Sequence, residues 1–348
     1  MSHKKDKLKH KTKEKEKEKH KDSKHKHKDS KHKDKSKDKS REKDKEKRKM
    51  KDNSAVQDVL GDIYSLEKQV GSGTFGDVYD AIYKPENKHV ALKVETKGKK
   101  SSMLESEYNI YKKLVKNGVT SGIPAIYEFT TTPKYNILSM ELLSKSLDAI
   151  FIEYNKQFAI NTVITLGYNM VDLLQKIHNA GFIHRDIKPN NFMIGQKGTD
   201  LYIMDFGLSK CYLQDNGHIP LKTDRSLVGT ARYASQNVHL GLEPSRRDDL
   251  ESIAYMLIYF CRGTLPWQGL KKRKGEDHIE TIGNVKIATS VEKLCKHTPD
   301  CLKKFLVYTK SLAYDQTPDY EFMKNIFTEY SNCNNIPMTY QWTSVASP

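Results

Sequence analysis

Four residues near the middle of the chain have side chains that could move a phosphoryl group. Asp186, Lys188 and Asn191 lie in the run His-Arg-Asp-Ile-Lys-Pro-Asn-Asn, and Asp205 follows in the triplet Asp-Phe-Gly. Asp186 could accept the proton of a substrate hydroxyl, and Lys188 could neutralise charge on the transferring phosphoryl group. Asn191 and Asp205 carry oxygen atoms of the kind that hold Mg²⁺ against phosphates. Such a set suits phosphoryl transfer, which is catalysed mainly by positioning and electrostatics.

A glycine-rich run lies earlier in the chain, between two predicted strands. It reads Gly-Ser-Gly-Thr-Phe-Gly from Gly71 to Gly76. Dinucleotide-binding folds use the same spacing, but there the run joins a strand to a helix, so the spacing alone is weak evidence. Between strands it is typical of the loop with which protein kinases cover the phosphates of ATP. The predicted nucleotide contacts in this region are Val70, Gly71, Ser72, Gly73, Gly76 and Val78.

A lysine inside an apolar strand provides a further motif. Lys93 ends the run Ala-Leu-Lys, and a buried ammonium without a partner is very costly. Glu107, on a predicted helix over 102–114, is the expected partner, because it leads directly into the apolar side of that helix; Glu105 is the alternative. The pair would hold Lys93 against the α- and β-phosphates of ATP. Taken alone, Lys93 could be a solvated surface lysine, but the motifs occur in the order and spacing of a kinase.

The elements around these motifs place a sheet before a set of helices. Runs of β-branched and aromatic residues separated by turns predict strands, and apolar residues at helical spacing predict helices. The predicted strands cover 63–70, 77–83, 89–95, 126–131, 136–141 and, just before the Asp-Phe-Gly triplet, 201–204. The predicted helices cover 102–114, 162–178 and 250–260. The order predicts an α+β fold with two lobes: an antiparallel sheet with one helix, followed by a mainly helical lobe.

The chain resembles the casein kinase 1 family of serine/threonine protein kinases over roughly residues 62–330. The Ala-Pro-Glu motif of most kinases is replaced by Ser-Gln-Asn at 235–237, which is similar to the Ser-Ile-Asn of that family. The runs Ser-Arg-Arg-Asp-Asp-Leu-Glu-Ser from Ser245 and Leu-Pro-Trp-Gln-Gly-Leu from Leu265 are the other specific features. Tau-tubulin kinases and vaccinia-related kinases share parts of these motifs but fit less completely.

The resemblance implies an enzyme that transfers phosphate from ATP, with Mg²⁺, to serine or threonine in proteins. Lys188, two residues after Asp186, is the serine/threonine arrangement, and Thr230 looks like the threonine that contacts the catalytic aspartate. Asp249 is, by resemblance, the buried aspartate that braces the catalytic loop. Asn190 stands where the family usually has aspartate, a change that we expect to leave the chemistry unaffected.

The resemblance also places the adenine pocket. Backbone groups that follow a gatekeeper side chain would hydrogen-bond the adenine, and apolar side chains would cover its face. For each apolar residue, a place in the core is an equally natural role, and both can hold at once. The predicted residues are Met140 as gatekeeper, Glu141, Leu142 and Leu143 as hinge, and Val78 and Ala91 against the ring.

Substrates of the family often carry a phosphate or an acidic residue N-terminal to the target hydroxyl. By position, Arg185, Lys210 and Arg225 match the basic pocket for that anion, and clustered cations suit the role. The alternative is that Arg185 only supports the catalytic loop and that the other two are solvated. Arg232 matches part of a second anion site, with Gly269, but there His278 stands where the family has lysine.

The positive charge of the chain is concentrated at its N-terminus. The formal net charge is +16, and residues 1–50 alone contain 24 Lys/Arg against 11 Asp/Glu. Residues 1–55 have too few apolar side chains to offset an ordering cost of roughly 1–2 kcal/mol per residue, so we predict disorder there. For this segment we prefer nuclear targeting, with the cytoplasm as a second location. Nonspecific and salt-dependent contact with nucleic acid, an acidic partner or a solvating arm are the alternatives.

Composition disfavours several other classes of protein. No stretch approaches the roughly 18 apolar residues of a membrane span, and the N-terminal stretch lacks the apolar run of a secretory signal. The five cysteines form no Cys-x-x-Cys pair, which favours a reducing compartment. We expect a monomer that acts on protein substrates.

The predicted organisation is a basic segment followed by a single kinase domain. The domain covers 62–330, with an N-lobe over 62–142 and a C-lobe over 143–330, and a short extension covers 331–348. Because so few residues follow the domain, we expect no long inhibitory C-terminal tail. The competing hypothesis is a pseudokinase scaffold that binds partners through the basic segment, and it is disfavoured because all the catalytic residue types are present.

Overall fold

The computed structural model describes most of the chain beyond the basic segment. The described residues are 56–58, 60–73, 76–98, 102–215, 217–271, 275 and 277–343. Disorder, nuclear targeting and nucleic-acid contact were predicted for residues 1–55, which lie outside the described residues, so these stay predictions. The chain divides into two compact units, Met1–Ser65 and Leu66–Pro348.

In the first unit, the described residues form one helical turn and the start of a strand. The turn covers 56–58 and 60, and strand β1 (Tyr64–Gly73) begins four residues later. The side-chain amide of Gln57 donates to the carbonyl of Tyr64 at 3.1 Å. This bond ties the turn to the residue at which the strand begins.

The N-terminal part of the second unit is a five-stranded sheet. Its strands lie in the order β1-β2-β3-β5-β4, and the pairs β2–β3, β3–β5 and β4–β5 are antiparallel. Strand β5 is almost wholly buried, which agrees with its apolar sequence. The strands after β1 are β2 (Gly76–Tyr83), β3 (Lys88–Thr96), β4 (Ile126–Thr131) and β5 (Tyr135–Glu141).

One helix, α1 (Met103–Lys116), joins β3 to the rest of this sheet. Ser102 caps it, because the hydroxyl accepts the backbone N–H of Glu105 at 3.0 Å. Three or four residues separate each member of its buried side, which consists of Leu104, Glu107, Tyr111 and Leu114. A glutamate therefore faces inward among apolar side chains, which requires a buried partner.

Helices make up most of the remainder. The short strands between them pair as β6–β9, β7–β8 and β10–β11, all antiparallel. The strands are β6 (Phe182–Ile183), β7 (Phe192–Ile194), β8 (Leu201–Ile203), β9 (Lys210–Cys211), β10 (Leu213–Gln214) and β11 (Gly217–His218). The helices are α2 (Leu147–Glu153), α3 (Ile160–Asn179), α4 (Gln236–His239), α5 (Arg246–Arg262), α6 (His278–Ala288), α7 (Val291–Leu294), α8 (Asp300–Ser311) and α9 (Tyr320–Cys333).

Helix α5 forms the centre of this helical part. Every residue from Asp248 to Phe260 is buried, so the helix has no solvent face and differs from the amphipathic helix that we predicted over 250–260. A helix buried on all sides needs partners for its polar groups. The N-terminal turn meets this need in part, since the carboxylate of Asp248 accepts the backbone N–H of Ser245 at 2.8 Å.

The predicted α+β kinase fold is confirmed. An antiparallel five-stranded sheet with one helix precedes a mainly helical lobe. The predicted helix over 162–178 corresponds to α3, the first five predicted strands correspond to β1–β5, and the short strand predicted over 201–204 corresponds to β8. The other short strands among β6–β11 were missed, because two or three residues are too few to show a period of alternation. Within the described ranges, no helix is long and apolar enough to cross a membrane.

Close packing between α3 and α9 depends on one glycine. A Cβ at Gly167 would lie 2.5 Å from two ring atoms of Phe327. We expect Gly167→Ala to lower the free energy of unfolding by about 1–3 kcal/mol through overpacking, although alanine favours the helix itself. Thermal unfolding followed by circular dichroism checks this. Gly98→Ala, where a Cβ would meet nothing within 4 Å, is the control, and an equal melting temperature in both variants would contradict the packing described.

Candidate active site

A buried lysine and two carboxylates link the sheet, helix α1 and the Asp-Phe-Gly segment. Lys93 Nζ, on β3, donates to Glu107 Oε2 at 2.6 Å and to Asp205 Oδ1 at 3.0 Å. Burial alone would lower the pKa of Lys93, but the two carboxylates raise it above its usual value. Burial likewise favours the neutral form of Asp205, and Lys93 nevertheless holds its pKa below the usual value. The lysine is therefore charged, and its head group is fixed from two sides.

Glu95 fixes the position of helix α1 relative to strand β3. Its carboxylate accepts the Ser102 hydroxyl at 2.5 Å and the backbone N–H groups of Met103 and Leu104 at 2.9 and 3.3 Å. The side-chain amide of Asn136 adds a bond of 3.0 Å. Burial opposes ionisation, but these donors lower the pKa of Glu95. A carboxylate at the first turn of a helix also interacts favourably with its dipole.

The Asp-Phe-Gly segment turns sharply at its aspartate. Asp205 has a left-handed backbone (φ 67°) and precedes a short 3-10 turn over Phe206–Leu208. The ring of Phe206 lies 4.9 Å from that of Tyr111 and 5.1 Å from that of His184. These contacts anchor the segment between helix α1 and the catalytic loop, so that Asp205 faces Lys93.

The predicted catalytic residues meet at Asp186. Lys188 Nζ lies 2.5 Å from Asp186 Oδ2, and the Thr230 hydroxyl donates to Oδ1 at 2.7 Å. The side-chain amide of Asn191 donates to the Asp186 carbonyl at 2.8 Å. Both oxygens of the carboxylate therefore have a partner, and the orientation of the carboxylate is defined.

Asp249, on α5, holds the backbone of the same loop. Its carboxylate accepts the N–H groups of His184 and Arg185 at 2.7 and 2.8 Å, and Nε2 of His178 lies 3.1 Å away. Burial favours the neutral acid, but hydrogen bonds and nearby positive charge keep the pKa of Asp249 below its usual value. The position implied by the resemblance is thus occupied by an ionised brace. His178 was missed, because a histidine in an apolar helix gives no sign of its distant partner.

The loop requires a glycine opposite Arg185. Arg185 has a left-handed backbone (φ 68°), and its carbonyl would lie 2.3 Å from a Cβ at Gly229. Gly229 itself has φ 87°, a conformation open to glycine. This close approach brings the neighbouring Thr230 within reach of Asp186.

A cavity of about 680 Å³ opens between the sheet and the helical part. Its walls are mainly apolar, and Lys93 lines it together with Lys68 and Lys145. Most of the residues predicted for the adenine pocket line it. The lining residues that sequence analysis named are Val70, Gly71, Val78, Ala91, Lys93, Met140, Glu141, Leu142, Leu143 and Asn190, while Met193 and Met204 were not foreseen.

Four of the predicted nucleotide contacts lie outside this lining. Ser72 and Gly73 end strand β1, and Gly76 begins strand β2, whereas Glu107 reaches the cavity only through Lys93. A Cβ at Gly76 (φ 123°) would lie 2.2 Å from the carbonyl of Val94. The glycine therefore lets the start of β2 lie close to β3.

The residues present suit ATP and Mg²⁺. The cavity is of ligand size. Lys93, which lines it, is charged, and its head group is fixed by two carboxylates. The carboxylate of Asp205 and the carboxamide of Asn191 supply hard oxygen donors. Across the described part of the chain, no cluster of three His, Cys, Asp or Glu side chains could hold a metal. Mg²⁺ usually takes one or two protein ligands and binds phosphates as well.

The three cations predicted as an anion pocket surround a carboxylate. Glu243 is almost fully buried, at 1 % exposure. Lys210 Nζ lies 2.6 Å from its Oε1, and Arg225 Nε lies 3.4 Å from its Oε2. Arg185 instead donates through Nε to the carbonyl of Leu208 at 2.6 Å. A cavity of about 230 Å³ is lined by Arg185, Arg225 and Glu243 among others, whereas Lys210 is not part of its lining.

Glu243 changes the charge expected for this cluster. From the sequence we expected three cations here. The structure adds one carboxylate, which pairs with two of them, Lys210 and Arg225. Glu243 stands in the run Gly-Leu-Glu-Pro, where nothing local marks it as buried, so its role depends on contacts over 33 residues of chain.

The second predicted anion site involves Arg232, Gly269 and His278. Arg232 is exposed and lies 5.8 and 5.9 Å from the ring centroids of Tyr233 and Tyr259. Gly269 has φ 67° with open space around a Cβ, and His278 begins helix α6. Neither Arg232 nor Lys210 lines the cavity beside Glu243, so the four predicted anion contacts do not line one pocket.

His178 makes the stability of the protein depend on pH. Burial lowers the pKa of His178, and Nδ1 lies 2.8 Å from the hydroxyl of Tyr320. Because the unfolded chain binds this proton more readily, the contribution is complete above about pH 6.5 and is lost as the pH falls through the folded pKa. We expect the melting temperature to fall between pH 7 and 5, with a smaller slope in His178→Gln, which can still bond Asp249 and Tyr320. If the melting temperature measured by calorimetry falls equally steeply with pH in wild type and in His178→Gln, this role of His178 is contradicted. His239 is a second histidine whose pKa burial lowers, and it contributes equally in both proteins.

Comparison with known proteins agrees with this geometry. A family model described as the protein kinase domain matches residues 64–321, which is well over half of the chain. Domains of this family generally use ATP and Mg²⁺, act on proteins and transfer a phosphoryl group. The chain belongs to the protein kinase family.

Proposed function

We propose that this chain is a serine/threonine protein kinase of casein kinase 1 type. It transfers the γ-phosphate of ATP to substrates that carry an acidic or phosphorylated residue N-terminal to the target. The observation that carries the proposal is the arrangement around Asp186, where Lys188 lies 2.5 Å from one oxygen and Thr230 donates to the other at 2.7 Å. In the family that the sequence resembles, both residues accompany serine/threonine specificity.

The two oxygens of Asp186 have different roles in this proposal. The Thr230 hydroxyl holds Oδ1 and so orients the carboxylate. Oδ2 faces Lys188, whose flexible side chain is 23 % exposed. Lys188 can turn toward a phosphoryl oxygen without movement of the backbone, and Oδ2 then accepts the proton of the substrate hydroxyl.

The remaining residues position the nucleotide. ATP with Mg²⁺ supplies the phosphoryl group and neutralises its developing charge. Lys93, held by Glu107, binds the α- and β-phosphates from the wall of the cavity. Asn191 and Asp205 hold the metal. The apolar walls around Met140 exclude water from the adenine, which strengthens these charge interactions.

Substrate selection is assigned to Arg185, Lys210 and Arg225. A phosphate that enters the cavity beside Glu243 must compete with Glu243 for Lys210 and Arg225. A doubly charged phosphate makes strong charge-assisted hydrogen bonds to arginine, whereas a carboxylate offers only what Glu243 already provides. We therefore expect primed sites to be preferred over acidic ones.

Specificity for the hydroxyl type is tested with three peptides that differ only in Ser, Thr or Tyr at one position. We expect transfer from ATP-Mg²⁺ to Ser and Thr, and none above background to Tyr. Asp186→Asn removes the proton acceptor and should lower kcat roughly 10²- to 10⁴-fold, which makes it the blank. Transfer to Tyr at a comparable rate would contradict the serine/threonine assignment, and transfer to none would contradict the kinase proposal.

The substrate pocket is tested by comparing a peptide with phosphoserine N-terminal to the target and its unphosphorylated form. Arg225 is half exposed at its side chain, so Arg225→Gln should fold. We expect it to reduce the preference for the primed peptide about tenfold, the loss of one bond to a charged group. Lys293→Gln removes an equally positive exposed side chain on α7 and should leave the preference intact. A preference unchanged in Arg225→Gln would remove the pocket from the proposal.

A further inference from the structure

Helix α6 carries a lysine whose head group lies in the interior of the helical part. Lys286 is 1 % exposed. Its Nζ donates to the backbone carbonyls of Ala231 at 3.0 Å and of Ala234, and Nε2 of His239 lies 3.2 Å away. An ammonium group has three N–H donors. The two carbonyls accept two of them, and the third faces Nε2 of His239, which also lies 3.1 Å from the carbonyl of Ala231. The charge is therefore solvated by a set of protein groups in place of water.

The walls of this site suit a cation. The ring centroids of Tyr255 and Trp267 lie 5.1 and 5.0 Å from Lys286 Nζ, within the range of cation–π attraction. Burial lowers the pKa of Lys286 to about 7, although Glu251 opposes that shift. Burial and the lysine charge lower the pKa of His239 to about 4, so the imidazole is neutral near pH 7 and can accept a hydrogen bond.

The carbonyls that Lys286 binds belong to one tight turn. Within it, the N–H groups of Tyr233 and Ala234 both donate to the carbonyl of Thr230, at 2.9 and 3.0 Å. The carbonyl of Arg232, one of the two that lie in the chain between those bound by Lys286, accepts the indole N–H of Trp267 at 2.7 Å. The side chains of Lys286 and Trp267 thus bind three carbonyls of the turn 230–234.

This turn carries two residues of the proposed reaction. The Thr230 hydroxyl bonds the catalytic carboxylate of Asp186, and Arg232 is one of the predicted anion contacts. Because hydrogen bonds within the turn hold its residues together, the turn moves as a unit. The groups that hold the turn therefore set the positions of the Thr230 and Arg232 side chains. Loss of the Lys286 donors would take this partner from the carbonyl of Ala234 and would leave the carbonyl of Ala231 with Nε2 of His239, 3.1 Å away. A buried polar group that loses its partner is costly.

We infer that Lys286 is a positioning residue, which holds the turn 230–234 in the conformation that orients Thr230 on Asp186 and presents Arg232 to the protein substrate. Trp267 shares this role through the carbonyl of Arg232. The effect on peptide phosphorylation rests on the proposed function, whereas the effect on the turn itself does not.

The test uses the full chain with Lys286→Met, which keeps the length of the side chain and removes its donors. Steady-state kinetics should show a higher KM for a serine peptide and a lower kcat, with kcat/KM reduced about tenfold or more, while the KM for ATP stays within about twofold. Hydrogen exchange followed by mass spectrometry should show faster exchange over 231–238 and unchanged exchange in α3. Lys293→Met, the same change at an exposed lysine of α7, is the control.

Two further variants distinguish the loss of the Lys286 contacts from a general loss of structure. Lys286→Arg keeps a charged donor and should recover part of the peptide kcat/KM that methionine loses. Trp267→Phe removes the N–H bonded to Arg232 together with one ring of the indole, and keeps an aromatic ring beside the lysine. It should change the same quantities in the same direction by a smaller factor. If Lys286→Met does not fold, these two variants decide.

Three results would overturn the inference. The first is exchange over 231–238 that is the same in wild type and variants. The second is an equal change in KM for peptide and for ATP, with faster exchange everywhere, which would indicate general destabilisation. The third is the absence of any recovery in Lys286→Arg. A wild-type chain that phosphorylates no peptide would instead contradict the proposed function, and the exchange data would still decide whether Lys286 holds the turn.

Discussion

A buried carboxylate on helix α5 connects the centre of the helical part to the loop that carries the catalytic aspartate. Asp249 accepts the successive N–H groups of His184 and Arg185, and this pair of bonds sets the backbone immediately before Asp186. The left-handed conformation of Arg185, and the approach of Gly229 to its carbonyl, follow from the course that the loop takes there. Without the carboxylate, two buried donors would each lose a bond that is costly to leave unmade, about 1–3 kcal/mol.

The site around this loop is built from charges that are buried and compensated. Lys93 has two carboxylates and Lys286 has carbonyls and aromatic rings, while Glu243 has two cations. Breaking such a group leaves an uncompensated charge, which is far more damaging than the net contribution of the pair suggests. These groups therefore contribute more to a single well-defined arrangement of the loops than to overall stability.

Much of the site could be predicted from sequence because its residues are close in the chain or follow a simple period. Glu107 was preferred over Glu105 from the apolar side of its helix, and the structure places Glu107 inside and Glu105 at the surface. The partners that were missed are polar residues whose environment is set by distant segments. Glu243 meets Lys210 across 33 residues, and His178 meets Asp249 across 71. Nothing in the neighbouring sequence carries that information.

The carboxylate of Glu95 has a consequence for how this enzyme is controlled. Helix α1 carries Glu107, and many movements that would separate Glu107 from Lys93 require the first turn of α1 to leave Glu95. That departure breaks the bonds to Ser102, Met103 and Leu104. At about 1 kcal/mol for each bond, the displaced position would hold below about 1 % of the molecules. A catalytic centre assembled to this extent leaves little for a signal that repositions helix α1 to gain.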